Sequence, residues 1–329
     1  MNIIAQHVYL DSFLAPLSQW LSRSDITDIY INRPGEIWIE LLGGEIEQHE
    51  APALSQSVLL RLARQIAAAS AQGINREAPL LAASLPDGSR VQVVLPPATR
   101  GEVAIAIRRH VSAGLSLDAW RGSGAVANQV QPEPSPEQPV SAQPEDATEQ
   151  LRRAVRARQN ILISGGTSSG KTTFLNALLQ EIPRSERLIL IEDTPELQLN
   201  HPNAAGLIAA RGVMGEAQVT AEDLLIAALR MRPDRIILGE IRGGEALTFL
   251  RAVNTGHPGS LSTIHADSPA RAIDQLALLV LASGSNLSWA NAVQYITRSI
   301  DLIVQLDRVG GNRCIRSIMR LSREPAAQI

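Results

Sequence analysis

Lysine is almost missing from this chain: of its 30 basic residues 29 are arginine, and Lys171 alone is lysine. A mutational bias towards arginine codons would explain the excess equally well. It leaves open why one position keeps a slim, flexible point charge where the others take the planar guanidinium fork. Cysteine is as rare. Cys314 by itself can form neither an internal disulfide nor a zinc site, which fits a reducing compartment. Aromatic residues make up only 3%, so the core must be built of Leu, Ile, Val and Ala. That favours helices and α/β layers over an aromatic-rich sandwich. No apolar run approaches the roughly 18 residues that cross a bilayer. No Lys or Arg precedes Arg23, so the basic start of a secretory signal is missing. The formal net charge of -3 gives no global attraction to nucleic acid. These absences lead to the expectation of a cytoplasmic protein whose membrane contact, if any, is peripheral.

What is present divides the chain into three parts. Its 329 residues, 45% of them hydrophobic and 19% charged, are enough for two ordinary globular domains. Residues 1–120 read as an α+β domain. Phe13, Leu14, Leu17, Trp20 and Leu21 recur at helical spacing, and a second helix is expected over 54–69. Strands around Ile29–Ile31 and Ile37–Ile39 flank a hairpin turn containing Pro34-Gly35. After the turn at Pro86-Asp87-Gly88 come two strand-like runs, 90–95 and 103–108. Alternation sets Val91, Val93 and Leu95, and likewise Val103, Ile105 and Ile107, on apolar faces, with Arg90 and Arg108 opposite. Paired in one sheet, both arginines would project from its outer face, as solvated side chains or as ligands' partners. Residues 121–150 are rich in Pro, Gln, Glu, Ser and Ala. Prolines 132, 134, 136, 139 and 144 keep this stretch extended, as a flexible acidic linker. Over 151–329, strand-like and helix-like stretches alternate in the manner of a parallel α/β sheet.

The strongest local signal lies there. Gly165-Gly166-Thr167-Ser168-Ser169-Gly170-Lys171-Thr172 fits G-x-x-x-x-G-K-[ST] at every position, with an apolar strand before it and a helix after it. In that arrangement glycines let backbone N–H groups wrap phosphates at a helix N-terminus, where the dipole favours anions. Lys171 then reaches the β- and γ-phosphates, and the Thr172 hydroxyl is a ligand for Mg²⁺. Lys171 thus has its reason: a crowded ring of amides has room for an ammonium.

Binding a nucleotide is not hydrolysing it, which needs carboxylates near the metal and the attacking water. The run 188–191 ends in Glu192-Asp193, and 235–239 ends in Glu240. In a parallel sheet both would gather at the carboxyl edge beside the phosphate loop, although acidic residues also end strands for structural reasons. His257 and His265 follow, with no neighbours at metal-ligand spacing. Arg230, Arg232, Arg235 and Arg242 cluster around the Glu240 strand, either to stabilise phosphoryl charge or as a solvated face. Arg152, Arg153, Arg156 and Arg158 read as one basic helix face.

These motifs together resemble the traffic ATPases of type IV secretion and conjugal transfer systems. The similarity runs from Leu17 to about Arg308. It comprises 165–173 as Walker A, LIEDTPEL (190–197) as the Asp box, LGEIRGGEA (238–246) as an atypical Walker B and TGHPGSLSTIHA (255–266) as the His box. The opening at 31–38 is similar to that of the secretion branch. The resemblance implies a RecA-like P-loop C-terminal domain with a smaller α+β N-terminal domain, assembled as a homohexamer, with ATP held between the domains and domain closure as the mechanical stroke. It implies ATP contacts from Gly165, Gly166, Thr167, Ser168, Ser169, Gly170, Lys171, Thr172 and Thr173, and from Arg90 and Arg108. Glu192 would activate water, Glu240 would approach Mg²⁺ through water, and His265 would sense the γ-phosphate. Partners would be inner-membrane components of the secretion or conjugation machine, met at the cytoplasmic face, without sequence-specific nucleic-acid binding. A pilus assembly or retraction ATPase of the same superfamily, and a nucleotide-gated scaffold with little turnover, are the alternatives.

Overall fold

The computed structural model describes residues 10, 12–42, 44–109, 114–121, 146–210, 218–309 and 312–321. The chain forms two compact units: Met1–Ala113 with Thr194–Glu196 and Ala209–Thr220, and Gly114–Asp193 with Leu197–Ile208 and Ala221–Ile329.

The first unit is built on six strands, β1 (Ile26–Ile31), β2 (Gly35–Leu41), β3 (Ile46–Ala51), β4 (Leu80–Ser84), β5 (Arg90–Val94) and β6 (Ala104–Arg108). Their order is β3-β2-β1-β6-β5-β4, antiparallel throughout. One face carries Ile29, Ile31, Ile37, Ile39, Val91, Val93, Ile105 and Ile107 into a shared core. A short helix α1 (Ser18–Leu21) and a longer one, α2 (Gln56–Ala69), accompany the sheet. Leu59, Leu62, Ala63, Ile66 and Ala67 form the buried stripe of α2, at the spacing of one helix face. Between β1 and β2 the chain turns at Gly35, whose φ of 84° suits glycine. The edge strands β3 and β4 escaped the periodicity reading for a physical reason. In β3 only Ala51 is buried, and Leu80 opens β4 with 62% of its surface exposed, so neither shows a clean apolar alternation. Arg90 and Arg108 stand directly opposite each other across β5 and β6, beside the pair Val91 and Ile107 that faces the core. Within this unit Arg90 also pairs with Glu196.

In the second unit, α3 (Ala147–Arg156), β7 (Ile161–Gly165), α4 (Lys171–Leu179), β8 (Leu188–Glu192) and β9 (Ala204–Ile208) are followed by α5 (Ala221–Ala228) and β10 (Arg235–Leu238). Then come α6 (Glu245–Asn254), β11 (Leu261–His265), α7 (Pro269–Ala282), α8 (Trp289–Ser299), β12 (Leu302–Val309) and β13 (Asn312–Arg320). The sheet order is β13-β12-β7-β11-β10-β8-β9, parallel except for the β12–β13 hairpin. Every residue of β7, β8 and β10 is buried, as strands covered on both faces must be. On one face Ile161, Ile163, Leu188 and Leu190 pack with α3 and α4 residues. On the other, Leu162, Ile189, Ile191 and Ile236 pack with α5 to α8. Leu117 and Trp120, although they fall within residues 1–120, are buried with the first of these sets. Of the expected linker, residues 122–145 lie outside the described residues. Asp146 caps α3, accepting the Thr148 N–H at 3.0 Å. Among the described residues, no helix is long and apolar enough to cross a membrane.

The start of β10 holds a buried ionic knot. Arg235 has no exposed surface. It donates to both oxygens of Glu186, at 2.6 and 3.0 Å, and to the carbonyls of Val155 (2.8 Å) and Gly259 (3.3 Å). Arg158 reaches the same carboxylate at 3.0 Å. The hydrogen bonds from Arg235 outweigh burial and hold the Glu186 carboxyl down at about 2. Bonded through all three of its guanidinium nitrogens, this arginine cements the edge of the sheet where strands begin and is remote from their carboxyl ends.

Candidate active site

The apolar run of β7 delivers its last residue, Gly165, between β11 and β12, and the chain then turns sharply into α4. That turn requires Gly170. Its φ is 91°, and a Cβ there would stand 2.6 Å from Arg313 Cδ. Ser168 is left-handed as well, with φ 60°. No side chain hydrogen-bonds at the N-cap of α4, and the dipole of the helix favours an anion at this end. Ser169 donates to the Gly166 carbonyl at 2.9 Å and so braces the loop from within.

Lys171 is 8% exposed, and its Nζ donates to the carbonyls of Gly165 and Gly166, each at 2.8 Å. A third contact runs 3.3 Å to His265 Nδ1. An ammonium only donates, so Nδ1 must accept, which leaves the ring proton on Nε2. That nitrogen faces Glu240 Oε1 at 3.0 Å. Glu240 in turn pairs with Arg242, and Arg242 lies 3.7 Å from Asp193. Four elements of distant sequence thus join in one line of polar contacts, Lys171–His265–Glu240–Arg242–Asp193. Burial pushes the Glu240 carboxyl up, but the hydrogen bonds from His265 and Arg242 overcome it and bring it down to about 2.

Glu192 ends β8 beside this line. It is 5% exposed, and its Oε1 accepts the Leu197 N–H at 2.7 Å, which fixes the carboxylate. Gly239 is its close neighbour: a Cβ there would lie 3.4 Å from Glu192 Cγ, in van der Waals contact. The Walker B strand is tied to its neighbour by hydroxyls, Ser262 to the Leu238 carbonyl and Thr263 to the Gly239 carbonyl, both at 2.8 Å. Parallel register therefore places Gly165, Glu192, Glu240 and His265 at one edge of the sheet.

Other residues fall elsewhere. His257 stands at the opposite end of β11 from His265 and donates through Nδ1 to the Pro233 carbonyl, 3.1 Å away. The arginines grouped around the Glu240 strand part company: Arg235 is in the knot at the strand start, Arg242 in the carboxylate line. Arg152 pairs with Glu149 and Glu181, at 2.8 and 3.0 Å. Arg90 and Arg108 belong to the first unit. Two residues near the loop went unnoticed in the sequence, Arg313 and Trp120. Arg313 Nη1 donates to Thr173 Oγ1 at 3.2 Å, and Trp120 meets Phe174 edge-on at 4.9 Å. Arginine recurs at 313, 316 and 320 of β13, so nothing in the pattern marks the first of them.

Residues 12–328 match the family model described as "Type II/IV secretion system protein". The type IV secretion system protein VirB11 of Bartonella quintana is 38% identical over 317 residues, 91% of this chain and 89% of that protein. The PtlH homolog of Bordetella bronchiseptica, also a type IV secretion system protein, is 40% identical over 321 residues, 94% of each. In overall fold the chain is similar to the ATPase DotB of Yersinia pseudotuberculosis, with a TM-score of 0.62 at 18% identity over 96% of this chain and 79% of that one. ATPase activity is a general property of these relatives. With Walker A, Asp box, Walker B and His box converging on one sheet edge, and with such coverage, the chain belongs to the type II/IV secretion family and to its type IV secretion ATPases, of RecA-like P-loop fold.

Proposed function

We propose that this chain is an ATP-hydrolysing motor, working as a homohexamer at the cytoplasmic face of the inner membrane and energising type IV secretion or conjugal transfer. The observation that carries the reading is the contact line from Lys171 through His265 to Glu240. It links the phosphate-binding cation to the Walker B carboxylate through one imidazole, so a change at the phosphates has a direct route to the hydrolytic end.

The residues suit a nucleotide with Mg²⁺. No side chain hydrogen-bonds at the N-cap of α4, a Cβ on Gly166 would meet open space, and a hydroxyl and a carboxylate are the hard oxygen donors that Mg²⁺ takes. Thr172 and Glu240 would hold the ion, which when bound neutralises phosphate charge. Loop residues 165–173 bind and orient the phosphates through backbone amides, and Lys171 supplies the cation. Glu192, buried and held by the Leu197 amide, accepts the proton of the attacking water. His265 reads the terminal phosphate and steers Glu240. Arg90 and Arg108 contribute positive charge to the bound nucleotide. The partners are further copies of this chain and inner-membrane components of the machine.

The test is Mg²⁺-dependent ATP turnover of the assembled protein beside Glu240→Gln. Turnover in the wild type that the substitution removes, with nucleotide binding retained, supports the motor. Rings that form yet turn over no ATP, unchanged by Glu240→Gln, overturn it.

A further inference from the structure

Glutamine is out of place in the middle of β12. A strand covered on both faces reads as a continuous apolar run, and Leu302, Ile303, Val304 and Leu306 keep to that rule, all of them buried. Gln305, buried with them, breaks it. A buried amide is costly unless it is hydrogen-bonded. Its Nε2 donates to the carbonyls of Leu306, at 3.2 Å, and of Ala266, at 3.3 Å. Ser164, also buried, donates to the same Ala266 carbonyl at 3.2 Å. The ladder to β13 slips at this point as well, since Gln305 pairs with Ser317 but Leu306 with Ile315. Bulges of this kind re-aim side chains beside a site.

The register explains how these groups meet. Gln305 lies level with Ser164, and Ser164 with Ile264. One row further, Leu306, Gly165 and His265 are level. Ser164 and Gln305 follow Leu162 and Ile303 by two residues, so both point to the face covered by α5 to α8. Leu306 packs on the opposite face, with α3 and α4. His265, level with it, turns the same way, towards Lys171 at 3.3 Å.

Strand β11 ends at His265. Ala266 is therefore the first residue past the ladder, and two side chains hold its carbonyl. That carbonyl directly follows a ring that has to meet Lys171 at 3.3 Å and Glu240 at 3.0 Å at once. Any shift of the backbone there would move the ring off one partner or the other. On its far side β11 is already tied to the Walker B segment, by the Ile241 N–H to the Thr263 carbonyl at 2.9 Å. Gln305 completes the bracing from the side of β7 and β12. It also touches the start of the phosphate loop, because a Cβ on Gly165 would stand 3.1 Å from the Leu306 carbonyl that Gln305 holds.

We propose that Gln305 is a positioning residue for hydrolysis. Together with Ser164 it fixes the Ala266 carbonyl and so holds the His265 imidazole in place between Lys171 and Glu240. The inference rests on the ATP-hydrolysing reading of the site and adds to it a support from β12, a strand that supplies none of the groups already placed there.

Gln305→Met keeps the length and packing of the side chain and removes the donor, and Ser164→Ala removes the other donor. The full chain is compared as wild type, each single variant and the double variant, and each of these again with His265→Ala. A misplacement of about 1 Å costs about 10²-fold in rate, so Gln305→Met is expected to lower single-turnover ATP hydrolysis about tenfold and the double variant to lower it further. Ser164→Ala alone, the gentler change, should show the same pattern at smaller size. ADP affinity, read by calorimetry, should stay within about twofold, since the loss belongs to the rate and not to binding. In the His265→Ala background the same substitutions should change the rate by less than about twofold, because residues that act through one group do not add. The nucleotide-free protein gives a further readout. In ¹⁵N-histidine spectra at one pH, the His265 signal is identified among the six histidines by its loss in His265→Ala. It should report Nε2–H in the wild type and a mixture of tautomers in the double variant. An unchanged rate in the double variant, a loss just as large without His265, a fall in ADP affinity equal to the fall in rate, or an unaltered His265 signal would each overturn the proposal. Failure of the underlying reading looks different: the wild type itself would hydrolyse no ATP, and the histidine spectra would still decide whether Gln305 holds the ring.

Discussion

His265 and Glu240 meet at 3.0 Å, imidazole Nε2 to carboxylate Oε1, while the other ring nitrogen accepts from Lys171. One side chain therefore touches both the phosphate-loop cation and the Walker B carboxylate. The two neighbours also decide its tautomer, because the ammonium leaves Nδ1 no choice but to accept. The geometry separates two jobs that an alanine substitution would otherwise confuse. His265→Ala is expected to leave ADP affinity within about threefold and to lower turnover by about 10²-fold or more, the usual scale for a lost polar group in a transition state. Single-turnover kinetics beside ADP titration would check the split, and an equal loss in both would contradict it.

Gly170→Ala tests the loop itself. A left-handed φ costs a non-glycine residue about 1–3 kcal/mol, and the added methyl must push Arg313 aside. Thermal melts should show the loss of stability, and nucleotide titration should show weakened binding in the same protein. Wild-type affinity at unchanged melting temperature would mean that the backbone there tolerates a side chain.

At the other end of the strands, Arg235→Met removes the buried cation of this pair and leaves the Glu186 carboxylate with Arg158. Breaking such a pair costs about 3–5 kcal/mol. Urea denaturation should register it, and Arg235→Met with Glu186→Leu should recover much of the loss, because no charge is then stranded.

The same pair has a pH signature. The Glu186 carboxyl lies at about 2 in the fold, below its ordinary 4.5, with Arg235 as the principal cause. A carboxyl lowered on folding stabilises the protein fully above its unfolded value, and that contribution drains away as pH falls from about 4.5 towards 2. Stability of the wild type should decline over this window more steeply than that of Glu186→Gln. Parallel curves from denaturant melts at pH 5, 4 and 3 would refute the assignment.

Lys171 permits a chemical test that few proteins allow. An amine-directed reagent meets a single lysine side chain here, and Mg-ATP should shield it while leaving the terminal amine reactive. Peptide mass mapping with and without nucleotide would read this directly, and equal labelling of Lys171 in both would speak against occupation of the loop.

The phosphate loop was legible because its chemistry is contiguous: glycines, lysine and threonine act within eight residues, and the strand and helix around them announce themselves by their apolar runs. Glu192, Glu240 and His265 were legible by a rule of topology, since parallel strands collect their last residues at one edge. Alternation set Arg90 and Arg108 on the faces away from the apolar side chains of their strands, and only the sheet register brought them opposite each other. Motif and alternation thus pointed to the family and the α/β class, and to strand ends that the fold gathers at one edge. The surroundings of Arg235 and Arg313 depend on folding, because the partners of each lie far along the chain. Arg235 finds Glu186 49 residues away, and Arg313 reaches Thr173 across 140. An arginine on a surface, in a knot or beside a phosphate loop reads the same in a sequence, and burial with geometry is what tells them apart. Lys171 stands between the two cases: the Gly165 and Gly166 carbonyls that hold it lie within its own motif, whereas His265 is brought to it from 94 residues away.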